Sequence, residues 1–572
     1  MPPAPRRVVL ALLAALPLML YVVYPVGAML ADGLSAPVAD YRARRLGWDP
    51  AAPPFAAGVR AAWHDPLVAR ATWGTLTLSF WTVVLGGAWG LGLALLWQRR
   101  AFPGRRFFAL LGYAPLLMPP LVGTLAFFRL LGHSGLVWQW LPFAGGKPWL
   151  EPFGAVLVLH VYSFGLYTYA FAAAALQDLD PALEEAARGL GASRARAFVA
   201  AIWPALRGPV GAAALLAFMA AGASFSGPYL LDTDGNYLTV EILNLQESGD
   251  RGLTAAVTAW LALLSLLALP GFLAFRAAVS SGGAATAGLK GAGRSALVPA
   301  RGGEAWLRFA LSLAAAAVLL IPLGVVVLSA ISDRAGWHEQ GWEVHFSADA
   351  FAALDGRDWS ALGRSLAYGA CAAALNIAVA LGLALALRRA PAWSALPAEA
   401  AVMLAVALPG SAVAIALLSA FHGPSWLFGG AALGQSATLL VLAYTIRNLP
   451  LAVRPVRAAL DGLGEDLEAA ARGLGAEPLR ALLRVTVPLL LPTLAAAALL
   501  CFVAAAGEYV ASELLWSVHT QPVSVRIREV YRSQFPRGAA LSLVLMLLCA
   551  AATGAAAWAG GKGKFKIRNE QR

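Results

Sequence analysis

The sequence has 572 residues, of which 59% are hydrophobic and only 13% are charged, and its formal net charge is +12. Soluble domains carry about 25% charged residues, and a soluble chain of this length divides into domains with polar surfaces. The composition therefore argues against a soluble enzyme and predicts a membrane protein. The cations lie between apolar blocks, which argues against a nucleic-acid partner and indicates charge held on the cytoplasmic face of a membrane.

The N-terminal half contains six apolar blocks that are long enough, at about 20 residues, to span a membrane as helices. These blocks are 8–30, 70–97, 107–130, 153–175, 208–231 and 253–276. The first block is long for a signal peptide, so we expect an uncleaved helix. Arg6 and Arg7 precede it, and they place the N-terminus in the cytoplasm.

The C-terminal half contains six further blocks. These blocks are 307–331, 362–387, 398–420, 434–456, 491–515 and 538–559. The sequence therefore predicts about twelve spanning helices. Lys and Arg recur in alternate loops, which predicts that both termini are cytoplasmic. The loop 516–537 disagrees, because it carries four arginines on the predicted outer face. They are Arg526, Arg528, Arg532 and Arg537.

A duplicated string indicates an internal repeat. Residues 186–192 (AARGLGA) recur as residues 470–476, an offset of 284 residues, and flanking leucines and prolines keep this register. Further upstream, an offset of 290 aligns Pro119 with Pro409. A shared seven-residue string with flanking matches in register is not expected by chance between two alanine-rich stretches.

The repeat predicts the domain organisation. We expect a first six-helix repeat at 1–276, a cytoplasmic linker at 277–305, a second six-helix repeat at 306–560 and a basic cytoplasmic tail at 561–572. The linker is rich in Gly, Ala and Ser, which is typical of flexible connectors. Because it starts and ends on the cytoplasmic side, the repeats are parallel, and parallel repeats favour a central pathway.

The repeated string lies in a cytoplasmic loop of each half, at about 176–206 and 460–490. Apolar residues at a three- to four-residue spacing predict a short amphipathic helix, and a glycine pair then predicts a helix stop and a sharp turn. A second helix is predicted from Ser193 to Trp203, ending before Pro204. One such loop could be an interfacial connector without a partner, but two copies suggest two docking sites for a symmetric partner.

The string Glu185–Gly191, followed by Ile202–Pro204, closely resembles the EAA motif of binding-protein-dependent ABC importer permeases. The second copy, Glu468–Gly475, departs from the motif because Ala469 occupies the position of Glu185. The resemblance covers nearly the whole chain. It implies an all-α membrane protein with about twelve transmembrane helices in two parallel six-helix repeats, which is the type I ABC importer fold.

In this family the loop is a coupling helix that fits a groove on a cytoplasmic ATPase subunit. The resemblance therefore implies two cytoplasmic ATPase subunits, an extracytoplasmic substrate-binding protein and membrane lipid as partners, and no cofactor or metal. The residues that it assigns to ATPase coupling are Glu184, Glu185, Ala186, Ala187, Gly189, Gly191, Glu468, Ala470, Ala471, Gly473 and Gly475. No Walker A sequence is present, so ATP hydrolysis is expected on a separate subunit and this chain is not expected to be an enzyme.

A few polar residues at membrane depth are candidates for the translocation pathway, because such groups are costly in lipid and face a cavity or a partner. They are Ser224, Ser226, Glu508, Tyr509, Ser512 and Glu513. For the acids, a paired or hydrated position near the outer interface is an equally good interpretation. His160 and Asn376 are interpreted as hydrogen-bonding residues between helices. The cysteines, Cys371, Cys501 and Cys549, are interpreted as core residues.

The fused arrangement is similar to that of ferric-iron and thiamine importer permeases, and residues 223–229 and 507–512 look more like the ferric-iron branch. We therefore expect a bacterial inner-membrane importer of ferric iron, or else of thiamine or another small solute. An ion-gradient-driven secondary transporter could share the parallel halves, but the duplicated cytoplasmic turn argues against it. A membrane-embedded enzyme is disfavoured because the sequence has no clustered set of His, Asp or Cys.

Overall fold

The structure is a computed structural model of the 572-residue chain. It describes residues 4–36, 38–39, 43–44, 46–49, 55–132, 135–140, 150–177, 179, 182–232, 236–286, 299–332, 346–388, 390–424, 426–463 and 465–570. The regular elements among these residues are helices, which confirms the predicted all-α class.

The described helices before the second repeat are α1 (Ala4–Leu18), α2 (Tyr24–Ser35), α3 (Ala57–His64), α4 (Pro66–Trp81), α5 (Gly87–Gln98), α6 (Arg105–Leu111), α7 (Pro120–Leu131), α8 (Leu136–Trp140), α9 (Pro152–Gln177), α10 (Ala182–Gly189), α11 (Arg194–Ala197), α12 (Trp203–Gly222), α13 (Ser226–Leu231), α14 (Leu238–Glu247) and α15 (Arg251–Thr286). Short π-helical segments at Met19–Val23 and Thr82–Gly86 join α1 to α2 and α4 to α5.

The described helices of the second repeat are α16 (Gly303–Ala330), α17 (Asp349–Ala352), α18 (Gly356–Leu387), α19 (Ala392–Ala407), α20 (Gly410–Phe421), α21 (Ala437–Gly462), α22 (Glu465–Gly473), α23 (Pro478–Ala481), α24 (Val487–Ala506), α25 (Val510–Leu515), α26 (Val523–Ser533) and α27 (Phe535–Glu570). Most of these elements have a counterpart in the first repeat at the expected offset.

Ten helical segments among the described residues are long and apolar enough to cross a membrane, and the bent pair α19–α20 makes eleven if it counts as one span. The sixth predicted block corresponds to α15. Its apolar part, Arg251–Leu267, is shorter than the ten apolar segments. These elements together account for the twelve predicted blocks. A fold of two multi-helix membrane repeats is confirmed, although length and hydropathy alone do not reach the full count of twelve.

The third predicted block of each half is not a continuous helix. In the first repeat α6 gives way to a 3-10 turn at Ala114–Leu117 before α7 begins. In the second repeat α19 and α20 meet at an angle of 118°. Met118 and Leu408, which precede the aligned prolines, are both extended. A residue before proline is disfavoured in the helical region, so the prolines explain both breaks.

The helices form two compact units. The N-terminal unit contains residues 62–248 and 260–328, and the C-terminal unit contains residues 1–61, 249–259 and 329–572. These units differ from the sequence repeats, because α1 and α2 belong to the C-terminal unit and most of α16 belongs to the N-terminal unit. Similarity along the chain therefore does not by itself assign a helix to its packing partners.

Each unit is built on the helix that precedes its copy of the repeated loop. In the N-terminal unit, α9 packs against α5 and α12. In the C-terminal unit, the corresponding α21 packs against α18 and α24. Glycine permits the closest of these approaches, since a Cβ at Gly90 of α5 would collide with the backbone oxygen of Gly165 in α9.

The predicted loop 516–537 contains the helix α26, and three of its arginines are paired with acids. The Arg526 guanidinium donates to Asp358, with Nε and Oδ1 2.7 Å apart, and Arg537 Nη2 lies 2.7 Å from Oδ2 of the same carboxylate. Arg528 Nη2 lies 2.8 Å from Glu513 Oε1. These arginines have a structural use that is independent of membrane topology, which explains why this loop departs from the Lys/Arg bias of the other loops.

Candidate functional site

The first repeated loop forms the predicted helix and glycine turn. Helix α10 ends at Gly189, and Gly191 follows with a positive φ of 86°. The Gly191 amide donates to the Arg188 carbonyl oxygen at 3.0 Å, and the Ala192 amide donates to that of Ala187 at 3.1 Å. Glycine reaches this left-handed conformation without the penalty of a Cβ. Residues 178, 180 and 181 of the predicted loop lie outside the described residues.

The second loop has the same backbone geometry. Helix α22 ends at Gly473, and Gly475 has a φ of 87°. The Gly475 amide donates to the Arg472 carbonyl oxygen at 3.0 Å, and the Ala476 amide donates to that of Ala471 at 3.1 Å. The turn is therefore duplicated bond for bond.

Each turn presents a leucine to solvent. Leu190 is 90% exposed and Leu474 is 91% exposed. Both turns thus present the same apolar side chain at the same position. Sequence analysis missed these two leucines as site residues, although they lie inside the repeated string.

The opposite face of each loop is anchored by an acid to the end of the second long helix of its repeat. Glu184 Oε2 lies 2.6 Å from Arg99 Nη2, just after α5. Glu468 Oε2 lies 3.8 Å from Arg388 Nη1, just after α18. Glu184 and Glu468 are aligned at the offset of 284 and are both half-buried. The acid that the two loops share is therefore an internal contact.

The neighbouring position, which differs between the copies, points outward. Glu185 is exposed and lines an open pocket of about 620 Å³, together with Arg188 and Arg196. Its counterpart Ala469 is also exposed. Among the alanines, Ala187 and Ala471 are half-buried, whereas Ala186 and Ala470 are exposed. The two turns thus have the same backbone shape, but at this position the first loop carries a negative charge that the second lacks.

The predicted second helix of each loop does not end before its proline. A π-helical segment at Phe198–Ile202 joins α11 to α12, and the same segment recurs at Leu482–Thr486 between α23 and α24. Pro204 and Pro488 fall in the first turn after these segments. A π-bulge moves the backbone so that a missing proline N–H and its ring are accommodated, and the helix continues into the membrane.

In the N-terminal unit, the candidate pathway residues belong to a neutral polar network. Ser224 Oγ lies 3.0 Å from His160 Nε2, and His160 Nδ1 lies 3.3 Å from Thr82 Oγ1. Ser226 accepts a hydrogen bond from Thr124 at 3.0 Å. His160 therefore hydrogen-bonds between helices, as predicted.

In the C-terminal unit, the corresponding candidates are charged and hydrogen-bonded. Glu508 Oε2 lies 3.3 Å from Arg447 Nε, and the Glu508 carbonyl accepts from Ser512 Oγ at 2.6 Å. Ser512 and Tyr509 are buried. Glu513 is held by Arg528, as described above. Sequence analysis missed Arg447, although an arginine near the middle of a predicted span was a visible signal.

Two minor predictions are corrected. Asn376 is buried, but its side-chain nitrogen and oxygen find no hydrogen-bond partner in the described part of the chain. Cys501 and Cys549 are buried as predicted, whereas Cys371 is exposed on α18. The apolar context of Cys371 reflects a position on the outside of the helix bundle, where an apolar sequence is equally compatible with lipid.

A polytopic helical protein with two repeats, each carrying the same helix–glycine turn–helix loop, has the architecture of a duplicated transport permease. Comparison with known sequences supplies the family. The chain matches the family described as binding-protein-dependent transport system inner membrane component over residues 86–281 and again over residues 378–560. The protein belongs to this family, which confirms the resemblance on which the sequence interpretation depends.

Curated relatives agree with the double-length arrangement. The chain is 28% identical over 488 residues to a probable ABC transporter permease protein, y4fN, of Sinorhizobium fredii, which covers 84% of this chain and 85% of the relative. It is 27% identical over 482 residues to the Fe(3+)-transport system permease protein FbpB 2 of Haemophilus influenzae, covering 82% and 86%. A molybdenum transport system permease protein, ModB, of Mycobacterium bovis is 36% identical over 159 residues, or 26% of this chain and 60% of the relative.

Proposed function

We propose that this permease forms the translocation pathway of an ATP-driven importer and that its two loops bind two cytoplasmic ATPase subunits. ATP is hydrolysed on those separate subunits, and an extracytoplasmic binding protein delivers the solute. In this arrangement both termini of the chain are cytoplasmic. The chain supplies the pathway and the coupling surfaces only.

The duplicated loop carries this proposal. The two turns share their hydrogen bonds, their positive-φ glycines and their exposed leucines, so they present two nearly equivalent surfaces. Equivalent surfaces favour a partner with two-fold symmetry, such as a pair of identical ATPase subunits. Glu184 and Glu468 tie each loop to a membrane helix, which gives movement of the loop a route into the pathway.

Ferric iron is the first substrate to test, because relatives that align over most of this chain are named as ferric transport permeases. Thiamine or another small solute is the second choice. The recognition step belongs largely to the binding protein, so the pathway residues of this chain restrict the solute without selecting it alone.

The subunit composition tests the proposal directly. The complex is purified in mild detergent with its ATPase, and its mass is measured. We expect one copy of this chain with two ATPase subunits. One ATPase per chain, or two copies of this chain, would contradict the proposal.

Uptake into proteoliposomes tests the energy source and the substrate. Radiolabelled ferric iron and thiamine are offered with the binding protein and ATP, and an ATPase variant that cannot hydrolyse ATP serves as the control. We expect uptake to require hydrolysis. Uptake that follows an imposed ion gradient in the absence of the ATPase would indicate the alternative, a secondary transporter.

A further inference from the structure

Two interrupted helices meet inside the C-terminal unit. α19 and α20 are bent at Leu408–Pro409, and α24 is separated from α25 by residues 507–509. α20 packs against α25. In a membrane, backbone that leaves the helical path is tolerated only where it is buried in protein or lines a water-filled cavity. Discontinuous helices of this kind form the solute sites of many transporters.

Arg447 lies at this junction. It is the eleventh residue of the 26-residue α21, about 15 Å along the helix axis and therefore near the middle of a span. Its Nη1 rests against Gly410, the first residue of α20, where an added Cβ would collide with it. Its Nε lies 3.3 Å from Glu508 Oε2, between α24 and α25. The guanidinium thus contacts both interrupted helices.

The exposed part of Arg447 indicates water on one side of the junction. The side chain is 30% exposed, whereas that of Glu508 is 11% exposed. A charged group that faces lipid near the middle of the bilayer is costly, and such groups face an aqueous cavity or a partner. We therefore place the exposed face of Arg447 on the aqueous pathway.

The hydrogen bonds indicate which charge this junction accepts. Glu508 Oε1 accepts from the Ala511 amide at 3.1 Å, and Oε2 faces Arg447, so both carboxylate oxygens are engaged. Arg447 meets this acid as an ion pair in which Nε lies 3.3 Å from Oε2. Nη1 rests against Gly410, but part of the guanidinium is exposed, and a guanidinium binds carboxylate, phosphate or related oxygens through charge-assisted hydrogen bonds.

The first repeat lacks this charged pair. At the offset of 284, Ser163 stands for Arg447 and Ser224 stands for Glu508. Pro120 aligns with Gly410 at the offset of 290, so the first repeat also lacks the glycine that leaves space for the guanidinium. The charge, its partner and the space that it needs occur together in one repeat only, which is expected of a specialised site.

We propose that Arg447 binds an anionic oxygen group of the transported solute as it passes the interrupted helices, and that Glu508 is the positioning residue that holds the guanidinium. This inference rests on the proposed function and narrows its substrate. The solute that reaches Arg447 carries a carboxylate, phosphonate or other oxyanion group. Ferric iron would pass with an anionic ligand still bound, and the thiamine cation is disfavoured.

Uptake by the assembled importer tests the inference, with Arg447→Gln and Arg447→Lys compared with the wild-type chain. The probes are ferric citrate labelled in both metal and ligand, and free molybdate. Losing a charge-assisted contact predicts at least about a tenfold fall in uptake of the anionic probe for Arg447→Gln, and a smaller fall for Arg447→Lys. Co-transport of the labelled citrate identifies a metal–anion complex, and uptake of molybdate alone identifies a free oxyanion.

Arg457→Gln is the matched control. Arg457 lies on the same helix, nearer its C-terminal end, and is paired with Glu399 at 2.6 Å. It should keep uptake within about threefold of wild type, because exposed ion pairs contribute little. Equal uptake by Arg447→Gln and wild type would overturn the inference while ATP-dependent uptake upheld the proposed function. Complete independence from the ATPase would instead overturn the proposed function.

A second measurement needs no known substrate. Leu451 is 45% exposed one turn after Arg447, and Leu451→Cys is prepared in a chain whose exposed Cys371 is replaced by Ser. Anionic and cationic water-soluble methanethiosulfonates then react with this thiol in the assembled complex. Removing a nearby positive charge should lower the anionic-to-cationic rate ratio by about threefold or more in Arg447→Gln.

If Arg447→Gln does not insert, Glu508→Gln provides the same test with the arginine in place. Because it removes the neighbouring negative charge, it should raise the anionic-to-cationic rate ratio. The inference would be overturned if the variant that inserts had the same anionic-to-cationic rate ratio as the chain with Arg447 and Glu508 intact. It would also be overturned if the thiol reacted with neither reagent.

Discussion

The two repeated loops have almost the same backbone geometry, whereas the segments that follow α13 and α25 differ in chemistry, because one is apolar where the other is charged. Gly191 and Gly475 have the same φ, and the flanking hydrogen bonds agree. By contrast, the buried Ile242 of α14 aligns with the buried Arg526 of α26. Under the proposed function, both loops bind the same kind of partner and need the same shape, whereas a packing site needs only one consistent set of side chains in each repeat.

The contrast extends to the residues around α26. Asp358, which is completely buried, aligns at the offset of 290 with the buried Val68, and Arg537 aligns at the offset of 284 with the buried Leu253. Three apolar positions in one repeat are therefore an acid and two arginines in the other. The N-capping residue just before this acid is unchanged, since Asp65 and Asp355 both cap their helices.

The largest effect is expected at the centre of this charged cluster. Asp358→Ala should destabilise the protein by about 3–5 kcal/mol, because it leaves the buried Arg526 and the half-buried Arg537 without their shared carboxylate. The measurement is thermal unfolding of the purified chain in detergent. The variant Asp358→Val, Arg526→Ile, Arg537→Leu carries the residues of the first repeat and should regain most of the lost stability. Equal stability of Asp358→Ala and wild type would show that the pairs contribute nothing.

The glycine turns should give the next largest effect, on transport. Gly191→Val or Gly475→Val places a β-branched residue at a φ of 86° or 87°, which costs about 1–2 kcal/mol locally. No atom lies within 4 Å of a Cβ built at either position, so the cost is backbone strain without a clash. Each single variant should insert normally and lose uptake, measured at matched membrane levels together with co-purification of the ATPase.

Gly189→Ala and Gly473→Ala are the controls for these turns, because both positions are helical and have open space around a Cβ. They should lose much less uptake than the valine variants, because neither position has a positive φ. Normal uptake in both valine variants would show that the loops are interfacial connectors only.

The anchoring acids should give a smaller and unequal effect. Glu184→Gln removes a contact of 2.6 Å to Arg99, whereas Glu468→Gln removes one of 3.8 Å to Arg388. Both pairs are partly exposed, so the loss of stability should be within about 1 kcal/mol. We expect reduced ATP-dependent uptake with the ATPase still bound, and a larger reduction for Glu184→Gln. Glu185→Gln, at the outward position, should instead weaken ATPase binding. If Glu184→Gln weakened ATPase binding and Glu185→Gln did not, Glu184 would be the binding residue and Glu185 the anchor.

The smallest effect concerns pH. The Arg537 guanidinium holds the pKa of Asp355 at about 2, below its ordinary value of 3.8. A lowered pKa in the folded state adds stability that is present above about pH 3.8 and is lost as the pH falls towards 2. Asp355→Asn keeps a capping side chain but removes the charge. Its melting temperature should lie slightly below that of wild type at pH 5 and converge with it near pH 2, and a constant difference would contradict this linkage.

Several features of the candidate site could be predicted from the sequence because they are local. The helix of each loop follows from apolar spacing, and the turn follows from glycine at a position that needs positive φ. The anchoring role of Glu184 could not be read in this way, because Arg99 is distant in sequence and the motif pattern draws attention to Glu185. The breaks at Pro119 and Pro409 were foreseeable from the prolines but were hidden by continuous hydrophobicity.

The sequence by itself determined that this chain is a helical membrane protein with two repeats and two equivalent loops, because hydrophobic block length, Lys/Arg placement and a duplicated string are properties of the chain. Tertiary structure decided which charges are paired. Arg447 meets Glu508, and Arg526 meets Asp358, through residues far apart in sequence. A buried charge is stable only beside its partner, and only folding brings the partners within hydrogen-bonding distance.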